Sequence, residues 1–159
     1  MRKFVFDVDG TLTPSRGKID PTFEAWLWGF TQKEKVFLVT GSDYPKTAEQ
    51  LGKEICESVV CCYNCQGNDV WFQGKRVNSK EFNPPEELNE IMEGWLKGSP
   101  FPYRTGKHIE HRRGLINFSV VGRNANPEQR KEYYEYDLKA RERESIAFQI
   151  NSTFQNVTA

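Results

Sequence analysis

The sequence is short of several features that would settle a function class at once. It carries no surplus of charge: Lys and Arg total 22, and Asp and Glu total 22. A chain that holds a phosphodiester backbone needs a basic field, so no nucleic-acid partner is expected. No apolar run approaches the ~20 residues that cross a bilayer. The Met1-Arg2-Lys3 start leads into an apolar stretch far too short for a secretory leader, so a soluble, cytoplasmic chain with no membrane partner is expected. Histidine is scarce, with two residues, and the four cysteines crowd together at Cys56, Cys61, Cys62 and Cys65. A zinc site would need a second pair of ligands, and His108 and His111 lie far along the chain. A redox CxxC opens a helix, whereas Cys62-Tyr63-Asn64-Cys65 runs into Gln66-Gly67-Asn68-Asp69, which reads as a turn. Reduced, structural thiols are expected. Internal repeats and low-complexity tracts are absent as well.

What the sequence does have is concentrated near its start. Phe4-Val5-Phe6 reads as a short buried strand, and it runs directly into Asp7-Val8-Asp9-Gly10-Thr11-Leu12-Thr13. A carboxylate withdrawn from water needs a cation or hydrogen-bond donors. Two carboxylates two residues apart at the C-terminal end of a strand point the same way, into the crevice where open α/β sheets bind ligands. Gly10 permits a tight turn and a close backbone approach, and Thr11 adds a hydroxyl donor. The pattern suits phosphoryl transfer: one aspartate attacks phosphorus, its neighbour protonates the leaving oxygen, and Mg²⁺ offsets the negative charge.

The chain then alternates. Asp20 and Pro21 open a helix whose apolar stripe is Phe23, Trp26, Leu27 and Phe30, and Val36 to Val39 form a second buried strand. Thr40-Gly41-Ser42-Asp43-Tyr44-Pro45 joins that strand to a helix reaching about Lys53. Hydroxyls at such a turn, beside a helix N-terminus, can hold a phosphate. Residues 58–62 read as a third strand, and residues 69–77 as a hairpin. Strand–helix–strand–helix–strand order points to a right-handed parallel α/β sheet. After Pro84-Pro85 the style changes. Leu88, Ile91, Met92, Trp95 and Leu96 mark an amphipathic helix, and a hairpin turns at Arg112-Arg113-Gly114. Helices follow from Asn126 and around Ile146, Ile150 and Phe154. The expected division is an α/β core over 1–82 and an α+β cap over 83–159. Arg112, Arg113, Arg123 and Arg130 cluster in the second part, where guanidinium groups can grip a second phosphate bidentately.

Several strings together resemble one family. They are Phe6 to Thr13 with Arg16, Gly41-Ser42-Asp43-Tyr44, Glu49-Gln50-Leu51-Gly52, Ile109 through Arg123, and Glu128-Gln129-Arg130. They resemble eukaryotic-type phosphomannomutase of the haloacid-dehalogenase superfamily, whose members interconvert mannose 6-phosphate and mannose 1-phosphate for GDP-mannose synthesis. The resemblance implies a haloacid-dehalogenase-like, Rossmann-like parallel core with an α+β cap. It makes Asp7 the nucleophile and Asp9 the general acid/base. Both face Mg²⁺, Asp9 through its main chain. Thr40 or Ser42 would hold the transferring phosphoryl. Arg16, Arg112, Arg123 and Arg130 would hold the sugar phosphate, the last three from the cap, with Asn117 and Ser119 on the cap strand between them. A hexose phosphate substrate, hexose 1,6-bisphosphate as activator and a homodimer through the cap are also implied. The family's Gly-Trp-Asp-Lys and Gly-Asp/Asn-Asp strings do not occur in this sequence. The core is therefore expected to be incomplete at its C-terminal end, and mutase turnover by these 159 residues is expected to be small. A sugar phosphatase, or a catalytically impaired sugar-phosphate-binding fragment, are the other expectations.

Overall fold

A computed structural model describes residues 2–159, which form two compact units. The first reaches to Phe82 and takes in Arg112–Leu115; the second comprises Asn83–His111 and Ile116–Ala159.

The first unit contains β1 (Lys3–Asp7), α1 (Pro21–Thr31), β2 (Lys35–Val39), α2 (Tyr44–Leu51), α3 (Lys53–Ser58), β3 (Cys61–Asn64), β4 (Asp69–Phe72) and β5 (Lys75–Ser79). Its sheet runs in the order β1-β2-β3-β4-β5, with β1, β2 and β3 parallel and β4 and β5 antiparallel. The parallel part follows from the helical crossovers, because a parallel pair cannot be joined by a tight turn. The antiparallel part follows from Gln73-Gly74, where both residues have positive φ, at 46° and 73°. Asp20 caps α1 by accepting from the Thr22 and Phe23 amides, with Pro21 in the first turn.

Strand alternation sends Val36, Leu38 and Cys62 to one face. There they pack with Val8, Leu27, Leu51 and Ile55 from the loop and helices, and Phe6, Phe23 and Phe30 close the edge of that core. The opposite face is open: Val5 is 64% exposed, and Val39, Tyr63 and Phe72 are also exposed. The expectation of a buried strand at Phe4-Val5-Phe6 is therefore corrected. Among the described residues β1 is covered on one face and pairs with β2. The third strand also starts later than expected. Gly52, at φ 84°, ends α2. Lys53 to Ser58 then take a further helical turn that buries Ile55 and Cys56. Ser58 closes that turn by donating to the Ile55 carbonyl at 2.9 Å.

The second unit contains α4 (Glu86–Gly98), α5 (Pro127–Ala140) and α6 (Glu142–Thr153), with most of the hairpin formed by β6 (Ile109–Arg112) and β7 (Leu115–Phe118). Its buried apolar residues include Leu88, Met92, Phe101, Val120, Val121, Tyr133, Ile146 and Ile150. The Phe101 ring meets Tyr133 edge-on at 4.9 Å. Asn126 and Gln129 form a reciprocal capping box at the start of α5. Gly122 is obligatory where it stands: at φ 89°, a Cβ would lie 2.0 Å from the Thr105 carbonyl oxygen.

Candidate active site

The loop after β1 folds round a single acceptor. The Val8 carbonyl takes the amides of Thr11, Leu12 and Thr13 at 3.0–3.3 Å, and the Gly10 amide returns to the Thr13 carbonyl at 2.8 Å. Gly10, at φ 80°, supplies the left-handed residue this winding needs. Val8 and Leu12 are buried beneath the loop, while Asp7 and Gly10 remain exposed. The apolar residues thus fix the loop from below and leave the polar ones on its outer side.

The two carboxylates are treated unequally. Asp7 is exposed at the end of β1, with the Thr11 hydroxyl donating to its Oδ2 at 3.4 Å. Asp9 is half-buried and gripped from several sides. Its Oδ1 accepts from the Arg16 amide at 2.5 Å and from Gln50 Nε2 at 2.9 Å, and its Oδ2 accepts from the Ser42 hydroxyl at 3.4 Å. Burial pushes the Asp9 carboxyl up. The Arg16 amide, the Gln50 and Ser42 donors and the Lys46 ammonium outweigh it, so Asp9 sits below its usual value.

The turn after β2 lies against this acid. The Ser42 amide donates to Thr40 Oγ1 at 3.1 Å, and the Thr40 backbone is tied to Tyr63 and Gln66. The Thr40 hydroxyl is thus engaged inside its own turn, whereas the Ser42 hydroxyl reaches Asp9. Asp43 caps α2 through the Lys46 amide. Arg112, expected with the cap, groups with the first unit and donates to the Gly41 carbonyl at 2.9 Å.

In the second unit, Arg123 Nε pairs with Glu110 at 3.4 Å, and Asn117 Nδ2 donates to the same carboxylate at 3.3 Å. Ser119 is a backbone anchor: its carbonyl meets His108 Nδ1 at 2.8 Å, and its hydroxyl accepts from the Gly122 amide. Arg130 donates to the carbonyls of Ala125 at 2.9 Å and Arg123 at 2.8 Å. The guanidiniums that the sequence suggests as anion anchors are therefore bound into their own unit. Arg130 in particular is held by two backbone carbonyls of its own unit.

Two residues lie within the matched strings but are given no role by the sequence. Gln50 is almost fully buried, and its Nε2 donates to Asp9, to Thr13 Oγ1 at 3.2 Å and to the Gly17 carbonyl at 3.2 Å. A lone glutamine on an amphipathic helix gives no signal of this. Glu110 is the other, since nothing in a β-strand pattern marks a glutamate as the shared partner of Arg123 and Asn117.

The donor set suits a hard cation in kind. Asp7 offers an exposed carboxylate and Asp9 lies two residues on, and Mg²⁺ binds through one or two carboxylates with waters and phosphate oxygens filling the rest. Among the described residues no group of three or more acids, histidines or cysteines could hold a metal by itself.

Comparison with known proteins bears on both fold and family. The family model "Eukaryotic phosphomannomutase" matches residues 23–159. Phosphomannomutase 1 of Mus musculus and of Homo sapiens are each 33% identical over 159 aligned residues, covering 94% of this chain and 60% of theirs. The phosphomannomutase of Encephalitozoon cuniculi is 32% identical, covering 96% of this chain and 62% of its own length. The chain thus spans about three fifths of the length of these relatives. Among solved structures, the C-terminal domain of trehalose-6-phosphate phosphatase from C. albicans superposes with a TM-score of 0.62 at 19% identity. That match covers 95% of this chain and 49% of the other, a likeness of fold.

Proposed function

The chain belongs to the eukaryotic phosphomannomutase family, with a haloacid-dehalogenase-like α/β fold, and from that premise we propose that its site transfers a phosphoryl group between positions of a hexose phosphate. The observation that carries the proposal is the unequal treatment of the two acids: Asp7 is exposed, while Asp9 is clamped by three donors. An exposed carboxylate at a strand end is free to attack. A clamped, half-buried one is held where it can pass a proton.

In this reading an Asp7 oxygen attacks a phosphoryl of hexose 1,6-bisphosphate. The bond from phosphorus to the sugar oxygen breaks, and Asp9, protonated once the bisphosphate's negative charge lies beside it, gives that oxygen a proton. A hexose monophosphate then gives the proton of its free 1- or 6-hydroxyl to Asp9 and takes the phosphoryl from Asp7, and the bisphosphate so formed turns before Asp7 takes back its other phosphoryl. Mannose 6-phosphate and mannose 1-phosphate are interconverted, the latter being the precursor of GDP-mannose. Bound Mg²⁺ would be held by the Asp7 carboxylate and the Asp9 carbonyl, and it supplies neutralisation of the phosphoryl charge. Ser42, whose hydroxyl lies against Asp9, is favoured over Thr40 to hold the transferring phosphoryl, though the Thr40 hydroxyl also keeps its proton to donate because its oxygen accepts from the Ser42 amide. By the family resemblance, Arg16, Arg112, Arg123, Arg130, Asn117 and Ser119 are the residues assigned to the non-reacting phosphate. A cytoplasmic homodimer through the cap completes the proposal.

The test is binding of a phosphoryl mimic. With Mg²⁺, beryllofluoride should raise the melting temperature of the parent chain and leave that of Asp7→Asn unmoved, since nucleophile and metal ligand are lost at nearly unchanged shape. An Asp7→Asn variant that responds as the parent does would overturn the assignment.

A further inference from the structure

Two of the side chains assigned to the non-reacting phosphate already hold an anion. The Ser119 amide donates to the His108 carbonyl at 2.8 Å, and the antiparallel register carried on from that bond sets Glu110 of β6 opposite Asn117 of β7. Glu110 Oε2 accepts from Asn117 Nδ2 at 3.3 Å and pairs with Arg123 Nε at 3.4 Å. All three residues belong to the second unit. The Arg123 and Glu110 side chains keep 27% and 21% of their surface open, so neither is sealed from a ligand. A carboxylate that takes an arginine N–H and an asparagine amide does what one edge of a phosphate does.

The fold does not need Glu110 to keep Arg123 in place. The Arg123 amide donates to the Lys107 carbonyl at 2.8 Å, and its carbonyl accepts from Arg130 Nη2 at 2.8 Å. Asn117 is carried by its own strand. The contacts to Glu110 are also long, since a tight charge-assisted pair closes to about 2.7–2.9 Å. The carboxylate is thus held loosely by groups that a stronger acceptor can take.

We propose that Glu110 is a resident anion: it occupies Arg123 and Asn117 in the free chain, a phosphate binds there by displacing it, and it returns as the phosphate leaves. The inference rests on the assignment of Arg123 and Asn117 to phosphate, and adds to that reading a residue that works against the ligand. A phosphate monoester brings about 1.5–2 negative charges near pH 7 and three acceptor oxygens, against one charge on the glutamate. It therefore wins the exchange, but its net gain is smaller by the pair it breaks. A bisphosphate that must turn within the site needs such a weakened grip. A guanidinium left without a partner would make every release costly, whereas Glu110 stabilises the emptied state.

Titration calorimetry and stopped-flow dissociation of mannose 1-phosphate on the full 159-residue chain test this by sign. Glu110→Gln keeps the shape and removes the charge. The sugar phosphate should bind it about tenfold tighter than the parent, with the gain in slower dissociation. Glu110→Ala, the second variant, should shift affinity the same way. Melting above the titration temperature shows that each variant is folded. Were Glu110 only an orienting partner of Arg123 and Asn117, its loss would weaken binding instead. Affinity unchanged or lowered in the folded Glu110 variants overturns the proposal. Arg123→Ala separates this failure from that of the reading beneath it. Weaker binding in Arg123→Ala with no gain in Glu110→Gln overturns the resident anion alone. An Arg123→Ala variant that binds as the parent does overturns the phosphate assignment, and the resident anion with it.

Discussion

The two units handle polar side chains in opposite ways. In the first, a buried amide, a backbone N–H and a hydroxyl converge on one carboxylate, and the neighbouring carboxylate is left open. In the second, Arg123 and Arg130 are used on carbonyls and on one glutamate. The difference teaches where ligand and fold compete. An anion arriving at Asp7 displaces almost nothing of the first unit's own structure. One gripped by Arg123 or Arg130 must share guanidiniums that already hold the loop 122–126 together.

The largest effect expected of this contrast is at Gln50. Replacing it by Leu removes three donations from inside the first unit and leaves a half-buried carboxylate short of a donor, a loss of about 3 kcal/mol. Chemical denaturation measures it, and a change within 0.5 kcal/mol would erase the contrast between the units.

Next comes Arg130→Ala. Two hydrogen bonds to carbonyls are lost, so stability should fall by about 2 kcal/mol. The affinity for mannose 1-phosphate, read by titration calorimetry, should fall with it. Weaker binding at unchanged stability would return Arg130 to the class of solvated anchors and dissolve the distinction drawn here.

The smallest effect is one of pH. Burial pushes the Asp137 carboxyl up, but the Arg143 amide and guanidinium outweigh it and hold it below its usual value. A lowered folded value means that the stabilisation is complete above the ordinary aspartate range, near 3.8, and disappears as pH falls through the lower folded value. Arg143 is largely exposed, so Asp137→Asn should cost no more than about 1 kcal/mol at neutral pH. That cost should vanish in acid. A cost that persists at pH 2 would place the effect in packing rather than charge.

Local signals carried much of this fold. Strand β2, the Gln73-Gly74 hairpin, α4 and the Asn126 cap all follow from patterns a few residues long, and the structure has each. What escaped was decided at longer range. Nothing local says that Val5 faces water, because coverage of a sheet face depends on which other elements reach it. The short helix α3 was hidden because Gly52 can end a helix or break one, and only the burial of Ile55 and Cys56 selects the break. At the candidate site, the spacing of Asp7 and Asp9 was legible, whereas the Arg16 contact was not. It is made by a backbone amide at φ 62°, so the guanidinium that draws attention in the sequence plays no part in that hydrogen bond.

The winding of the loop on the Val8 carbonyl has a kinetic signature. Three amides, those of Thr11, Leu12 and Thr13, depend on one oxygen. A fluctuation that swings that oxygen away unprotects all three together. Their deuterium uptake should follow a common opening event, and a phosphoryl mimic bound at Asp7 should slow the three in step. The loop behaves as a latch with one pin, open or shut as a whole.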